Sequence, residues 1–174
     1  MMVILKLKRF KGTSSLTQGE LTEDTTGLKL VTLEQAHPDY VGGILNTLAL
    51  PDGLYKVKRT MMLNAWELKV SKPGTYRRAT IEGGEKVSKV AGVITCGMNV
   101  EGFKLKGGEE AEKALQHMVS QLMGMGVLSF KGEARDILLD IKTAPNFEFV
   151  NTGDKMVGED DGIDWEEEDE DDYS

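Results

Sequence analysis

The chain has 174 residues and a formal charge of −8, and that charge is unevenly placed. Residues 158–174 hold eleven acidic side chains and no Lys or Arg, which leaves 21 basic against 18 acidic side chains, about +3, in residues 1–157. A single cysteine, Cys96, excludes an internal disulfide. Two histidines, His37 and His117, are too few for a Cys/His zinc site, and the longest apolar run, Met1–Leu5, falls far short of the roughly 20 residues of a membrane-spanning helix. Membrane insertion, a metal and a cofactor are therefore not expected. Lys6, Lys8, Arg9 and Lys11 follow the apolar start instead of preceding it, so no secretory signal peptide is expected either.

The first 105 residues read as strands and turns. From Leu5 the chain alternates, with Leu5 and Leu7 on one face and Lys6 and Lys8 on the other. Gly19–Thr22 and Leu28–Leu33 form two further strands around a turn at Asp24–Gly27. Ala36–Asp52 contains Pro, Asp, Asn and paired glycines and reads as a long loop. Gly53–Arg59 alternates again, as does Ala65–Val70, with Trp66, Leu68 and Val70 inward. Arg78–Glu82 and Gly92–Cys96 are short apolar strands on either side of the polar segment Gly83–Lys89, and Phe103–Lys106 closes the series.

One helix is expected over 109–123. Ala111, Ala114, Leu115, Met118, Val119, Leu122 and Met123 recur in steps that keep them on one stripe, with His117 off it. Glu109, Glu110 and Glu112 favour the positive end of the helix dipole, and Gly124 and Gly126 stop the helix. Val127–Lys131 and Ala134–Lys142 then suggest a final hairpin, although Ile137, Leu138, Leu139 and Ile141 also fit a short helix. The expected architecture is a β-rich α+β domain over 1–157, a small and mostly antiparallel β-barrel or sandwich with one packed amphipathic helix. Residues 158–174 are too poor in apolar side chains to offset ordering entropy, so a disordered acidic tail is expected there.

Several segments, taken together and in order, resemble an uncharacterised family of small phage and prophage proteins. That family carries a Gly-x-Leu strand, then Thr-Leu-Glu, Pro-x-Gly-x-Tyr, Ile-His-x-Gly-Asn and Gly-Cys-Ile. The corresponding segments here are Gly19-Glu20-Leu21, Thr32-Leu33-Glu34, Pro51-Asp52-Gly53-Leu54-Tyr55, Ile81-Glu82-Gly83-Gly84-Glu85 and Gly92-Val93-Ile94. The family's His and Cys elements are in turn similar to the active-site motif of L,D-transpeptidases, in which a Cys thiolate attacks an acyl donor with His as its base. This chain departs at both positions, having Glu82 for the His and Val93 for the Cys. Valine is no nucleophile, and a carboxylate beside a thiol would raise its pKa. Cys96 is an odd number of residues from Val93, so on a strand it faces the other way and reads as a small buried apolar residue.

The remaining candidates are surfaces. Lys6/Lys8, Lys56/Lys58 and Lys104/Lys106 are each spaced by two, with Arg59, Arg77 and Arg78 nearby. On neighbouring strands they would make a basic face for nucleic acid or another anionic partner. Lys-rich strand faces also arise simply from solvation and edge protection. Phe10, Tyr55, Trp66, Tyr76 and Phe103 are the sparse aromatics that could stack on bases. Gly83-Gly84 and Gly107-Gly108 read as turns, not phosphate cradles, and His37 as a loop residue without a catalytic role. In the tail, Ile163, Asp164, Trp165, Glu166 and Tyr173 place apolar anchors in an acidic frame, suited to docking.

With both catalytic positions replaced, the expectation is a non-enzymatic phage protein that acts by binding, in the host cytoplasm or the virion. A protein partner is expected, with the tail as one contact. The alternative is a single-stranded nucleic-acid-binding protein regulated by its acidic tail, and the third reading is a peptidoglycan-active enzyme using Glu82.

Overall fold

Val3, Leu5 and Leu7 alternate with Ile4, Lys6 and Lys8, and this pattern builds the first strand, β1 (Val3–Gly12), its odd residues buried from Val3 to Arg9 and Ile4, Lys6 and Lys8 exposed. The computed structural model describes residues 3–41, 48–62, 65–71, 76–123, 137–150 and 165–166. The strands that follow are β2 (Leu16–Glu23), β3 (Leu28–Gln35), β4 (Gly53–Met62), β5 (Ala65–Val70), β6 (Thr80–Gly83), β7 (Val87–Ser88), β8 (Val93–Gly97), β9 (Asn99–Glu101) and β10 (Lys104–Lys106). A helix, α1 (Gly108–Met123), then precedes β11 (Ile137–Phe149) and β12 (Trp165–Glu166).

Eight strands close into a barrel in the order β1-β11-β4-β5-β6-β8-β3-β2. Six of its contacts are antiparallel, and β1–β11 and β6–β8 are parallel. Closure leaves the barrel without an open edge, so every strand finds two partners for its backbone groups. Among the described residues the architecture is β-rich with one helix, as the residue pattern predicts, and of the expected barrel or sandwich it is the barrel. No helix among the described residues is long and apolar enough to cross a membrane.

The segment 137–142 is a strand, not the short helix that its apolar run also allowed. It continues through the polar residues beyond Asn146 to Phe149. Pairing on both sides, with β1 and β4, overrides the local ambiguity. The proposed partner arm at Val127–Lys131 lies outside the described residues. Arg9 pairs with Thr143 and Lys11 with Glu148, so Ala144–Phe147 bulge out opposite Phe10 alone.

Inward residues fill the barrel. Leu5, Leu7, Leu21, Leu30, Val57, Leu68, Ile81, Ile94, Leu139 and Ile141 are buried in one cluster. Ala111, Leu115, Met118, Val119 and Leu122 of α1 belong to the same cluster, and His117 is exposed, as the stripe predicts. A Cβ on Gly83 would overlap the Gly108 carbonyl, and one on Gly108 would overlap the Gly84 backbone. These glycine pairs are thus more than turns: they let the start of α1 touch the barrel rim.

A second cluster lies on the outside of the wall. Leu16, Leu33 and Val31 are covered there by Val87 and by Val100, Phe103 and Leu105 of the β9–β10 hairpin. Phe103, expected within a strand, sits instead in the hairpin turn. Gly102 and Phe103 both have positive φ, 52° and 66°, as a two-residue hairpin turn of right-handed twist requires.

Candidate binding surfaces and the face of Glu82 and Val93

Strand order decides the fate of the expected basic face. β1 and β4 are not neighbours, because β11 lies between them. It brings Asp140 opposite Lys6 and Leu138 opposite Lys56 on the outer wall. Lys6 Nζ lies 2.9 Å from Asp24, and Lys142 Nζ lies 3.5 Å from Asp140. Leu54, 64% exposed, interrupts the β4 row. Lys56 and Lys58 are exposed, but Arg59 follows the parity of buried Val57 and turns inward, where burial lowers its pKa. Lys104 and Lys106 sit on the β9–β10 hairpin over β3, and Arg78 pairs with Glu82 at 3.1 Å, while Arg77 is exposed. The lysines expected on one face thus lie on strands that are not all neighbours: β11 stands between those of β1 and β4, and Lys104 and Lys106 belong to the separate β9–β10 hairpin. The lysines of β1 border a cleft of about 350 Å³ between β1 and β11, lined by Lys6, Lys8, Asp140, Lys142, Thr143 and Pro145. Of the aromatics considered for stacking, Tyr76 is buried and Tyr55, Phe10 and Phe103 are half-buried. The Trp66 side chain lies outside the described residues.

Glu82 and Val93, the two positions singled out by the resemblance, lie on adjacent parallel strands. Thr80 pairs with Val93 and Glu82 with Thr95, so Glu82 and Val93 share one face of β6–β8. Glu82 Oε1 accepts hydrogen bonds from Arg78 at 3.1 Å and from Thr80 Oγ1 at 2.7 Å. Val93 is buried. A small cleft of about 190 Å³, lined by Glu82, Gly83, Gly84, Glu85, Lys86 and Thr95, opens beside them. Cys96 pairs with Gly83 and Thr32 on the opposite face and is wholly buried in the core cluster. Burial, aided by the charges of Glu112, Glu34 and Glu82, pushes its thiol well above the ordinary value. A thiol held protonated in this way is no nucleophile.

Sequence reasoning missed the polar centre of the molecule. Arg9 continues the parity of Leu5 and Leu7 and is completely buried inside the barrel wall. Its Nε and Nη2 donate to Glu34 Oε2 and Oε1 at 3.0 and 2.6 Å, and its Nη1 donates to the Leu50 carbonyl at 2.7 Å and to Asp52 Oδ1 at 3.2 Å. Burial opposes the charge, but Glu34 and Asp52 outweigh it and hold the guanidinium protonated. His37, expected to be a bland loop residue, is buried beside this group. Its Nδ1 accepts the Asp39 N–H at 3.1 Å, which leaves the proton on Nε2 to bond Thr143 Oγ1 at 2.6 Å. The Thr143 hydroxyl in turn donates a hydrogen bond to Asp52 Oδ1 at 3.0 Å. Burial, and then the charge of Arg9, lowers the His37 pKa, while Asp52 and Asp39 pull the other way.

His37 cannot serve as a base here. Its acceptor nitrogen is taken by backbone and its donor nitrogen by Thr143, so no basic lone pair faces a hydroxyl. The network is a latch. It ties the loop after β3 (His37, Leu50, Asp52) to β1 and β11. The signal was present in the sequence, since Arg9 falls on the buried parity of β1 and Glu34 on the parity of Leu28 and Leu30. Above the latch an aromatic group reaches the surface. Tyr40, 46% exposed, stacks on Phe147 at 4.5 Å between centroids and lies 6.0 Å from Phe149, which is 40% exposed.

Of the tail residues singled out, Trp165 and Glu166 form β12, whose backbone pairs in parallel with β7. Ile163, Asp164 and Tyr173 lie outside the described residues, as does most of the expected disordered tail. Among the described residues no group of three or more His, Cys, Asp or Glu is placed to hold a metal. Comparison with protein-family models, with curated proteins and with solved structures finds no match to this chain.

Proposed function

We propose that this is a non-enzymatic phage protein that acts by binding, as a virion component or on a host factor, through a degenerate transpeptidase-like domain with an acidic docking tail. One observation carries the reading. The positions corresponding to the family's His and Cys sit on one face of adjacent parallel strands, as a catalytic pair would need, yet they hold a carboxylate engaged by Arg78 and Thr80 and a buried valine. The one thiol is sealed in the core. No thiol lies on that face, and its Val93 cannot form the thioester that the transpeptidase-like chemistry requires. The test is incubation of the full chain with cell-wall sacculi. No new fragments are expected, and Cys96 should react with iodoacetamide only after unfolding. Fragment release that disappears in Glu82→Gln would favour the enzyme reading instead.

The lysine-lined cleft between β1 and β11 favours a second reading, a single-stranded nucleic-acid-binding protein regulated by its acidic tail. Its measurement is fluorescence anisotropy of a labelled oligothymidine at about 50 mM salt. Under this reading the full chain binds, and Lys8→Glu with Lys142→Glu weakens binding at least tenfold. A flat titration of the unsubstituted chain at low salt removes the reading.

A further inference from the structure

β7 and β12 form a small parallel sheet apart from the barrel ladder, with Val87 opposite Trp165 and Ser88 opposite Glu166. The β7 side is anchored to the body independently of the tail. Val87 is buried with Leu16, Leu33 and Leu105. The Ser88 carbonyl accepts Gln35 Nε2 at 2.7 Å, and Ser88 Oγ accepts the Val90 N–H at 3.1 Å. What lies along the edge can thus be exchanged without dismantling the wall.

The residues around this pair are complementary in charge. Val87-Ser88 is bracketed by exposed Lys86 and Lys89. Trp165-Glu166 is bracketed in sequence by Asp164 and Glu167. In sequence, Lys-Val-Ser-Lys and Asp-Trp-Glu-Glu thus carry opposite charges at matching positions on either side of the two paired residues. Lys86 also lines the cleft beside Glu82, so the edge borders the face of Glu82 and Val93.

We propose that Lys86–Lys89 is a strand-acceptor slot for an extended peptide carrying an aromatic residue in an acidic frame, and that the chain's own tail is its resident occupant. Strand addition takes affinity from backbone hydrogen bonds and specificity from side chains at the flanks. A ladder of two residues is weak alone and is held by its tether, which keeps the tail at high effective concentration. A partner segment of the same chemistry enters by displacing it. This deepens the docking-tail part of the function proposed above and rests on that part only, since it stands whether or not the chain is an enzyme.

The first test is hydrogen exchange on the full chain, read on peptides spanning residues 86–90 and 163–168. Lys86→Glu with Lys89→Glu should speed exchange in both by tenfold or more. Adding Asp164→Lys and Glu167→Lys to the same chain should restore protection. Unchanged exchange in the first variant, or failure of the compensating pair to restore it, overturns the proposal. The second test titrates a labelled synthetic peptide of residues 158–174 into the unsubstituted chain and into Trp165→Ala. The variant should bind at least tenfold more tightly, because its own tail competes less, and a scrambled peptide of equal composition should bind weakly. No binding to the variant, or equal binding of the scrambled peptide, refutes a sequence-specific slot. Neither readout depends on catalysis or on nucleic acid, so failure here and failure of the reading above are separable.

Discussion

At the end of the barrel where α1 lies, the closing contacts are those of Ala111, Leu115, Met118, Val119 and Leu122 with the lumen. At the end where β3 runs into its loop, Arg9, Glu34, Asp52, His37 and Thr143 hold Leu50 and its neighbours in place by directed hydrogen bonds. The first closure is non-directional and sums over many contacts, so any one of them can be trimmed at a bounded cost. The second depends on every partner being present, because a buried charge that loses its counter-ion cannot recover water. One chain therefore uses a tolerant closure and an intolerant one at opposite ends of the same core.

The largest expected effect tests the intolerant end. Arg9→Met leaves Glu34 buried without a partner and should cost about 3–5 kcal/mol, read by denaturant unfolding. Adding Glu34→Leu to the same chain should recover most of the loss, as removal of both charges is close to neutral. If the double variant is no better than the single one, the latch is an energetic asset and not just a directional one, and the comparison must be redrawn.

The tolerant end should yield less. Leu115→Ala removes a fully buried side chain and should cost about 3 kcal/mol through lost burial and the cavity left behind. Gly83→Ala is smaller in chemistry but meets the Gly108 carbonyl and the Glu112 backbone. It should cost about 1–3 kcal/mol as α1 is pushed from the rim, and Gly108→Ala should not add fully to it, since both act on one contact.

The smallest effect is a pH dependence confined to the latch. The His37 pKa is lowered in the fold, chiefly by burial. The unfolded chain therefore takes up its proton first, and the contribution of neutral His37 is present above the ordinary value and lost as pH falls through the folded one. The melting-temperature advantage of the unsubstituted chain over His37→Gln should shrink between about pH 7.5 and 5. A constant difference would show that His37 does not titrate against folding.

Much of the barrel wall was legible. Alternation placed Leu5, Leu7, Leu68 and Val70 correctly, and the stripe of α1 was readable because periodicity is a local property. The strand order was not, because nothing in Lys6 or Lys56 reports that β11 will come between them. That insertion separates the lysines of β1 from those of β4. Arg9 and Glu34 were hidden for a different reason. Their parity marks them as inward, but charged residues are read as surface unless a partner is in view, and their partners lie 25 residues apart on another strand. Glu82 and Val93 were singled out by a resemblance alone, and that they share a face follows only from the parallel β6–β8 register.

The parallel contact of β1 with β11 has a kinetic consequence. Val3 faces Ile137, so one side of β1 waits for nearly the whole chain to be made before it is covered. Closing a loop of that length is slow relative to local pairing. In the interval β1 can pair with β2 alone and shows its other backbone edge to every neighbouring chain. Lys6 and Lys8, placed on that strand, then act as gatekeepers against strand-to-strand association of incomplete chains. On this view the lysines of β1 serve the nascent protein before they serve the finished one.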